Sequence, residues 1–417
     1  MNWQQLPAWL RWALYAAVGV LVLTIVQRFD DTESLTAAGS SQSMLRWAVP
    51  ILLAGLGGLF SERAGVINIG LEGMMILGTW FGAWGAVVYG PWWGVVLGTA
   101  AGAVGGLLHA IATVTFGVDH IISGVAVNIL APGITRFLSS EILTNLPGGS
   151  ITQSPRVPGV GTFTLPILGG GSIGSWQSPD FFGWLAGQNI FLISDIASLG
   201  KGLVTRISWV SFIALLLVPF TAWLLWRTRF GLRLRICGER PEAGESQGIN
   251  VYRFKYIGVV ISGALSGLAG AFIASPELSG IYLEGQTTGR GFIGLAALIF
   301  GNWRPFGVLG GALLFGYPFG IGLRDLDGSA SHSLILVNAI GLAAVAVWAF
   351  TRGKRRDAAL ALVLGLAAAA WYLTSDTLPD VWIHILPFVI VLIVLVFFAQ
   401  RLRAPAADGL RYRKGEH

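Results

Sequence analysis

The stretch SERAGVINIGLEGMM, Ser61 to Met75, sets Glu62, Arg63, Asn68 and Glu72 among three glycines, between two apolar runs. Charged groups at membrane depth cost ~2.5 kcal/mol or more and usually face a bundle interior or a water-filled cavity. Glycines around Asn68 and Glu72 would let a helix break, and broken helices commonly build solute sites near the midplane. Asn68 and Glu72 are therefore candidates for a translocation path. The competing reading puts Glu62 and Arg63 at an interface and has Glu72 hydrogen-bonded between helices. A second polar set, Asn128, Thr135 and Arg136 in VNILAPGITRF, accompanies Pro132 and Gly133, a pair able to kink or interrupt a helix. Asn128 joins the pathway candidates, whereas Arg136 is expected to snorkel to the outer interface. His109 and His384 stand isolated on apolar runs, without the spaced partners of a metal site, and are expected to be satisfied by neighbouring helices. Five dispersed histidines and one cysteine, Cys237, offer no convergent constellation for a membrane enzyme.

These residues sit in a chain of 417 that is 54% hydrophobic and 12% charged, with mean hydropathy +0.69. Soluble domains carry about 25% charged residues. Apolar runs of roughly 20 residues, enough to cross a ~30 Å hydrocarbon core, recur throughout. The expected fold is all-α: a polytopic transmembrane helical bundle of about 10–12 spans, some of them broken, since helices satisfy their own backbone in lipid. Spans are expected near 9–26, 46–60, 66–89, 92–116, 121–139, 207–226, 256–275, 288–303, 306–323, 333–350, 358–374 and 381–400. The alternating segments of a barrel are not seen.

The net charge of +6 and pI near 9.7 come from basic residues beside the ends of apolar runs, so they read as topology signals and not as a nucleic-acid footprint. Three clusters, Arg227 to Lys255, RGKRR at Arg352 to Arg356, and the tail RLRAPAADGLRYRK, fall on one face when the spans are counted. The positive-inside rule makes that face cytoplasmic and places both termini there. Residues 143–206, rich in Gly, Pro and Ser, then lie outside, with FFGWLAGQNIFLISDI as an amphipathic piece; a docking surface and a spacer both fit this segment. Tryptophans flanking the spans, such as Trp92, Trp93, Trp223 and Trp226, suit an interfacial belt. Gly94, Gly98, Gly102 and Gly106 line one helix stripe and permit close approach of another helix, as do Gly263 and Gly267.

The segment Arg227 to Lys255 is too polar to span. Pro241 suits a first helical turn, Glu242 and Glu245 its N-terminal half, and Gly248 its exit, which predicts a short helix over Pro241 to Gln247. It reads either as a capped connector or as a contact element that passes force to the adjoining membrane helices.

With its continuation, GLRLRICGERPEAGESQGINVYRFKYIGVVISGALSGLAGAF resembles the coupling-loop signature of permease subunits of ATP-binding-cassette importers, in the branch for nucleosides and simple sugars, related to ribose and branched-chain amino acid permeases. SERAGVINIGLEGMM, HIISGVAVNILAPGITRFL and GRGFIGLAALIFGNWRPFG agree, in the family's order, over about 46–350. The family commonly has Asn where Arg240 stands. The resemblance implies a bacterial cytoplasmic (inner) membrane permease working by alternating access. It would dock a cytoplasmic ATP-binding subunit through Glu239, Arg240, Pro241, Glu242 and Gly248. ATP and Mg would reside on that partner, with no cofactor in this chain, which lacks a G-x-x-x-x-G-K-[ST] loop. Further implied partners are a second permease chain, giving a heterodimer or a homodimer, and an extracytoplasmic solute-binding lipoprotein. The expected division is 1–45, an N-terminal membrane helix and external loop; 46–142 and 207–350, the two permease halves; 143–206, the external loop; and 351–417, a helix pair with a basic tail. A secondary transporter or channel for small polar solutes is the alternative; it predicts paired intramembrane acids or a proton relay.

Overall fold

The computed structural model describes residues 8–32, 34–322, 324, 329–375, 385, 389 and 402–413. The helices are α1 (Ala8–Phe29), α2 (Ala38–Arg63), α3 (Leu71–Tyr89), α4 (Pro91–Ala110, continued by a π turn at Ile111–Thr115), α5 (His120–Glu141), α6 (Phe181–Ala186), α7 (Ile193–Val204) and α8 (Trp209–Arg227). There follow α9 (Arg229–Glu239), α10 (Pro241–Ser246), α11 (Val251–Ala274), α12 (Arg290–Phe300), α13 (Pro305–Gly322), α14 (Ser329–Thr351) and α15 (Arg355–Thr374). The chain forms two compact units.

One unit comprises residues 46–162, 208–315 and 398–417. Its centre is α3, α4 and α11, which approach to backbone contact because facing glycines leave no side chain between them. A Cβ on Gly102 would lie 2.3 Å from the Gly263 carbonyl oxygen, and one on Gly78 would lie 2.2 Å from that of Gly267. The glycine stripe therefore sets the helix spacing, as its four-residue repeat predicts. Trp80 fills the far end of this core with Ala83, Ala274 and Tyr282, and its indole N–H donates to Ser139 Oγ at 2.9 Å. Helix α5 packs on α3 and runs uninterrupted through Pro132, so the Pro132–Gly133 pair does not break it.

The other unit comprises residues 1–45, 163–207 and 316–397. Val26, Leu35, Ile321, Ala330 and Leu334 form its main core, and Leu342, Ala346 and Ala361 join α14 to α15. The stretch read as one amphipathic piece folds as two short helices, α6 and α7, tied by a 2.6 Å Lys201–Asp180 ion pair. Thr36 Oγ1 donates to Asp195 on α7 at 2.6 Å.

Nine helices among the described residues are long and apolar enough to cross a membrane, and two apolar stretches, Ala16–Phe29 and Arg290–Phe300, are shorter. The chain is a multi-pass membrane protein. The run 288–303 needs correction, because its helix α12 has only 11 residues. The expected span 381–400, with His384, lies outside the described residues, apart from two isolated positions.

Candidate functional site

Helix α2 ends at Arg63 and α3 begins at Leu71; the seven residues between are non-helical and mostly buried. The exit from α2 is a Schellman-type turn: Gly65 has φ +81°, its N–H donates to Glu62 O, and Val66 N–H donates to Ser61 O at 3.1 Å. Irregular backbone inside a membrane protein must find partners for its polar groups. Here side chains from three other helices supply them. Lys255 Nζ on α11 donates to Gly65 O (3.0 Å), His109 on α4 bonds Ile67 O (3.1 Å), and His120 Nδ1 on α5 accepts from Ile67 N–H (3.3 Å). Asn128 closes the link, its Nδ2 donating to Ile69 O (3.0 Å) and its Oδ1 accepting from Gly73 N–H (2.7 Å). It thus caps α3, whose own N-cap residue is Gly70 with no side chain to offer. Asn68 is fully buried; its Nδ2 donates to Ser262 Oγ on α11 (2.9 Å), while its Oδ1 has no partner.

Glu72, in the first turn of α3, reaches across to α12. Its two oxygens accept from Gly289 N–H (2.8 Å) and Gly291 N–H (2.6 Å), the free donors at the start of that helix. Such charge-assisted bonds contribute about 1.5–3 kcal/mol each. Glycine is required at 291, since a Cβ there would lie 2.6 Å from Glu72 N. At the other end of α12 the Trp303 carbonyl accepts from Arg63 (2.9 Å) and the Trp303 indole N–H donates to Glu62. Helix α12 thus runs from the level of Glu72 to the end of α2, and residues 275–289 before it are turns and bends.

The segment α9–α10 is anchored to the same end of α2. A Cβ on Gly238 would lie 2.5 Å from Arg63 O, and Arg63 also pairs with Glu239 at 3.3 Å. Arg63 and Arg235 both lie over the Trp226 ring, at 5.6 and 5.5 Å. Pro241 opens α10, and Gly248, with φ +76°, ends it through Gly248 N–H to Glu245 O (2.8 Å) and Ile249 N–H to Gly244 O (3.0 Å). Asn250 then caps α11, accepting from Arg253 N–H. Glu239, Arg240, Glu242 and Gly248 are exposed, Pro241 half-buried. Cys237 is buried among these elements, and burial pushes its thiol up to about 11, which leaves it inert.

The structure therefore brings Asn68, Glu72 and Asn128 to one buried link, and places Glu239, Arg240, Pro241, Glu242 and Gly248 on one anchored surface. Sequence reasoning passed over His120, Lys255, Ser262 and Trp303. The available signal was Ser262 and Ser266 at helical spacing beside Gly263 and Gly267, a polar edge on the stripe that meets α4. Arg136 pairs with Glu284 at 3.3 Å on the surface.

A multi-pass bundle with half-length helical elements, a buried polar link and an exposed polar helix clamped to it has the build of a transport permease. The chain belongs to the family described as the branched-chain amino acid transport system permease component, which matches residues 41–323. It is 32% identical to the guanosine ABC transporter permease protein NupQ of Bacillus subtilis, over 89% of this chain and 95% of that protein. It is 32% identical to the nucleoside ABC transporter permease protein NupC of Lactococcus lactis, over 90% and 96%. The putative glucose ABC transporter permease protein TsgC13 of Haloferax volcanii is 35% identical, over 69% and 78%. No solved structure matches the chain. The protein is a membrane permease component of an ABC importer, and its helices form the translocation pathway.

Proposed function

We propose that this chain is the permease subunit of an ATP-driven nucleoside importer of a bacterial cytoplasmic membrane, with both termini in the cytoplasm. The observation that carries the coupling role is α10: a short helix with an exposed outer face, bolted through Gly238, Glu239 and Arg63 to the end of α2 and joined to α11 by a four-residue turn. A separate ATPase, holding ATP and Mg, grips that face at Glu239, Arg240, Pro241, Glu242 and Gly248. Nucleotide binding biases inward- against outward-facing packings, because it has different affinities for the two. Asn68, Glu72 and Asn128 border the pathway and hold its broken helices. Residues 275–300, part turns and part helix, count as one crossing in this reading, so the basic clusters at 227–255 and 352–356 share the cytoplasmic face.

Nucleosides are favoured as cargo because the two relatives covered nearly end to end are named for guanosine and nucleosides. Simple sugars are the second reading, supported by the glucose-transporter relative. Both nucleoside relatives come from organisms with a second similar permease protein, NupP and NupB, which supports a heterodimer here. An extracytoplasmic solute-binding lipoprotein delivers the cargo. The test is to copurify the complex, identify the binding protein's ligand by mass spectrometry, and delete residues 241–247. Loss of ATP-dependent uptake together with loss of the ATPase is expected. Uptake that persists without an ATPase would instead mark a secondary transporter or channel.

A further inference from the structure

Residues 402–413 lie on the segment α9–α10, where their basic composition alone reads as a solvated tail. Arg403 N–H donates to Asn302 Oδ1 (2.8 Å), beside the turn between α12 and α13. Ala406 N–H donates to Glu239 Oε2 (3.2 Å) and Ala407 N–H to Gly238 O (2.8 Å). Glu239 is thereby held from two sides, Arg63 on Oε1 and this segment on Oε2. The Tyr412 hydroxyl donates to Glu245 on α10, and its ring lies 5.5 Å from that of Tyr252 at the start of α11. Between these anchors, the Asp408 carboxyl lies against that of Glu62 in the last turn of α2, and Gly409 abuts Ile67 in the buried link. Burial, reinforced by the Glu62 charge, raises the Asp408 pKa far above the usual carboxylate range. Lys255 on α11 also faces Asp408.

These contacts leave the outer face of α10 open: Glu242, Ala243, Ser246 and Gln247 remain exposed. A segment that plugged the docking surface would cover that face. This one grips α10 from the side and from beneath. We propose that residues 402–413 are a coupling strap, which ties the ATPase-docking segment to the inner end of α2 and to the α12–α13 turn. Displacement of α10 is thereby delivered to α2 and α12 as well as along α11. Arg63–Glu239, whose glutamate is half-exposed, is otherwise the main side-chain tie from α10's neighbourhood to α2.

The inference rests on α10 being the docking element, and the full-length complex tests that first: without ATP-driven uptake and a bound ATPase, the docking reading itself fails. Given a working complex reconstituted in liposomes, the measured quantity is guanosine imported per ATP hydrolysed. Deleting residues 402–417 is expected to leave the ATPase bound and hydrolysing while that ratio falls about tenfold, a typical size for a coupling free energy. Tyr412→Phe, which removes one oxygen, is expected to lower the ratio in the same direction with assembly intact. If the deleted chain fails to assemble, Tyr412→Phe decides. An unchanged ratio in whichever variant assembles overturns the strap, and so does uptake above the full-length level, the behaviour of a plug.

Discussion

The link from Ala64 to Gly70 and the segment from Arg229 to Gly248 are both polar interruptions in an apolar chain, and they treat their polar groups in opposite ways. In the link nearly every group has a partner within the chain: two histidines, a lysine and an asparagine reach in from α4, α5 and α11. In α9–α10 the face toward the rest of the unit is bonded, and the opposite face, with Arg240, Glu242, Ser246 and Gln247, is left to solvent. Buried polar groups are costly unless satisfied, so the first region must be built from the chain's own donors and acceptors. An exposed helix bears no such cost. Its rigid attachment suits the proposed role, in which a partner outside the chain pulls on it. On the function proposed above, the difference separates residues that hold the pathway's frame from residues that receive force.

If that separation is right, substitutions in the frame should lose stability and uptake together. The largest effect is expected for Gly102→Leu, whose side chain would have to occupy space 2.3 Å from the Gly263 carbonyl oxygen. Helices α4 and α11 cannot part without unpacking α3, so membrane-inserted folded protein should be lost, as read by fluorescence-detected size exclusion in detergent. Glu72→Ala comes next. It removes the acceptor for two helix N-terminal donors and leaves both buried, a loss of about 3–6 kcal/mol from two charge-assisted bonds. The check is the thermal midpoint of the purified protein, and Glu72→Gln, which retains one acceptor oxygen, should recover part of it. A Glu72→Ala protein of normal stability that no longer transports would move Glu72 out of the frame and make it a solute contact.

Much of this division was legible in local chemistry. Pro241, Gly248 and the acidic residues between them predict α10 to within one residue, because helix punctuation is written in φ preferences and missing donors. The glycine stripe likewise reports its own packing. What could not be read depends on partners distant in the chain. Hydropathy counts 288–303 as a span; only Glu72, more than two hundred residues earlier, reveals that the helix begins at Arg290 on a carboxylate cap. The basic run RFGLRLRICGE carries none of the punctuation that predicts α10, yet Leu234, Cys237 and Gly238 are buried and it forms α9. The choice between pathway and brace for Glu72 was open for the same reason: both put a carboxylate among glycines.

Asn128→Ala should have an intermediate effect. It leaves the Gly73 N–H and the Ile69 carbonyl without their side-chain partners, at a cost of about 1–3 kcal/mol in an otherwise unchanged fold. Asn128→Asp retains the acceptor toward Gly73 and loses the donor toward Ile69, so its thermal midpoint should fall between alanine and wild type. Equal midpoints for all three proteins would mean that α3 needs no cap from α5, and that the amide serves the cargo instead.

The smallest effect on stability is expected for Glu242→Lys, and it is also the sharpest test of the contrast. Glu242 is exposed in the first turn of α10, and among the described residues no side chain bonds it. Reversing its charge at a helix N-terminus forfeits at most a favourable dipole interaction, and surface changes of this kind usually stay within about 0.5 kcal/mol. The thermal midpoint should therefore stand still while ATP-dependent uptake falls and the ATPase elutes separately on size exclusion. That pattern, function lost with the fold intact, is the reverse of what Gly102→Leu and Glu72→Ala should give. If Glu242→Lys keeps the ATPase bound and transporting, the outer face of α10 is not the surface a partner holds, and the exposed half of the comparison loses its meaning.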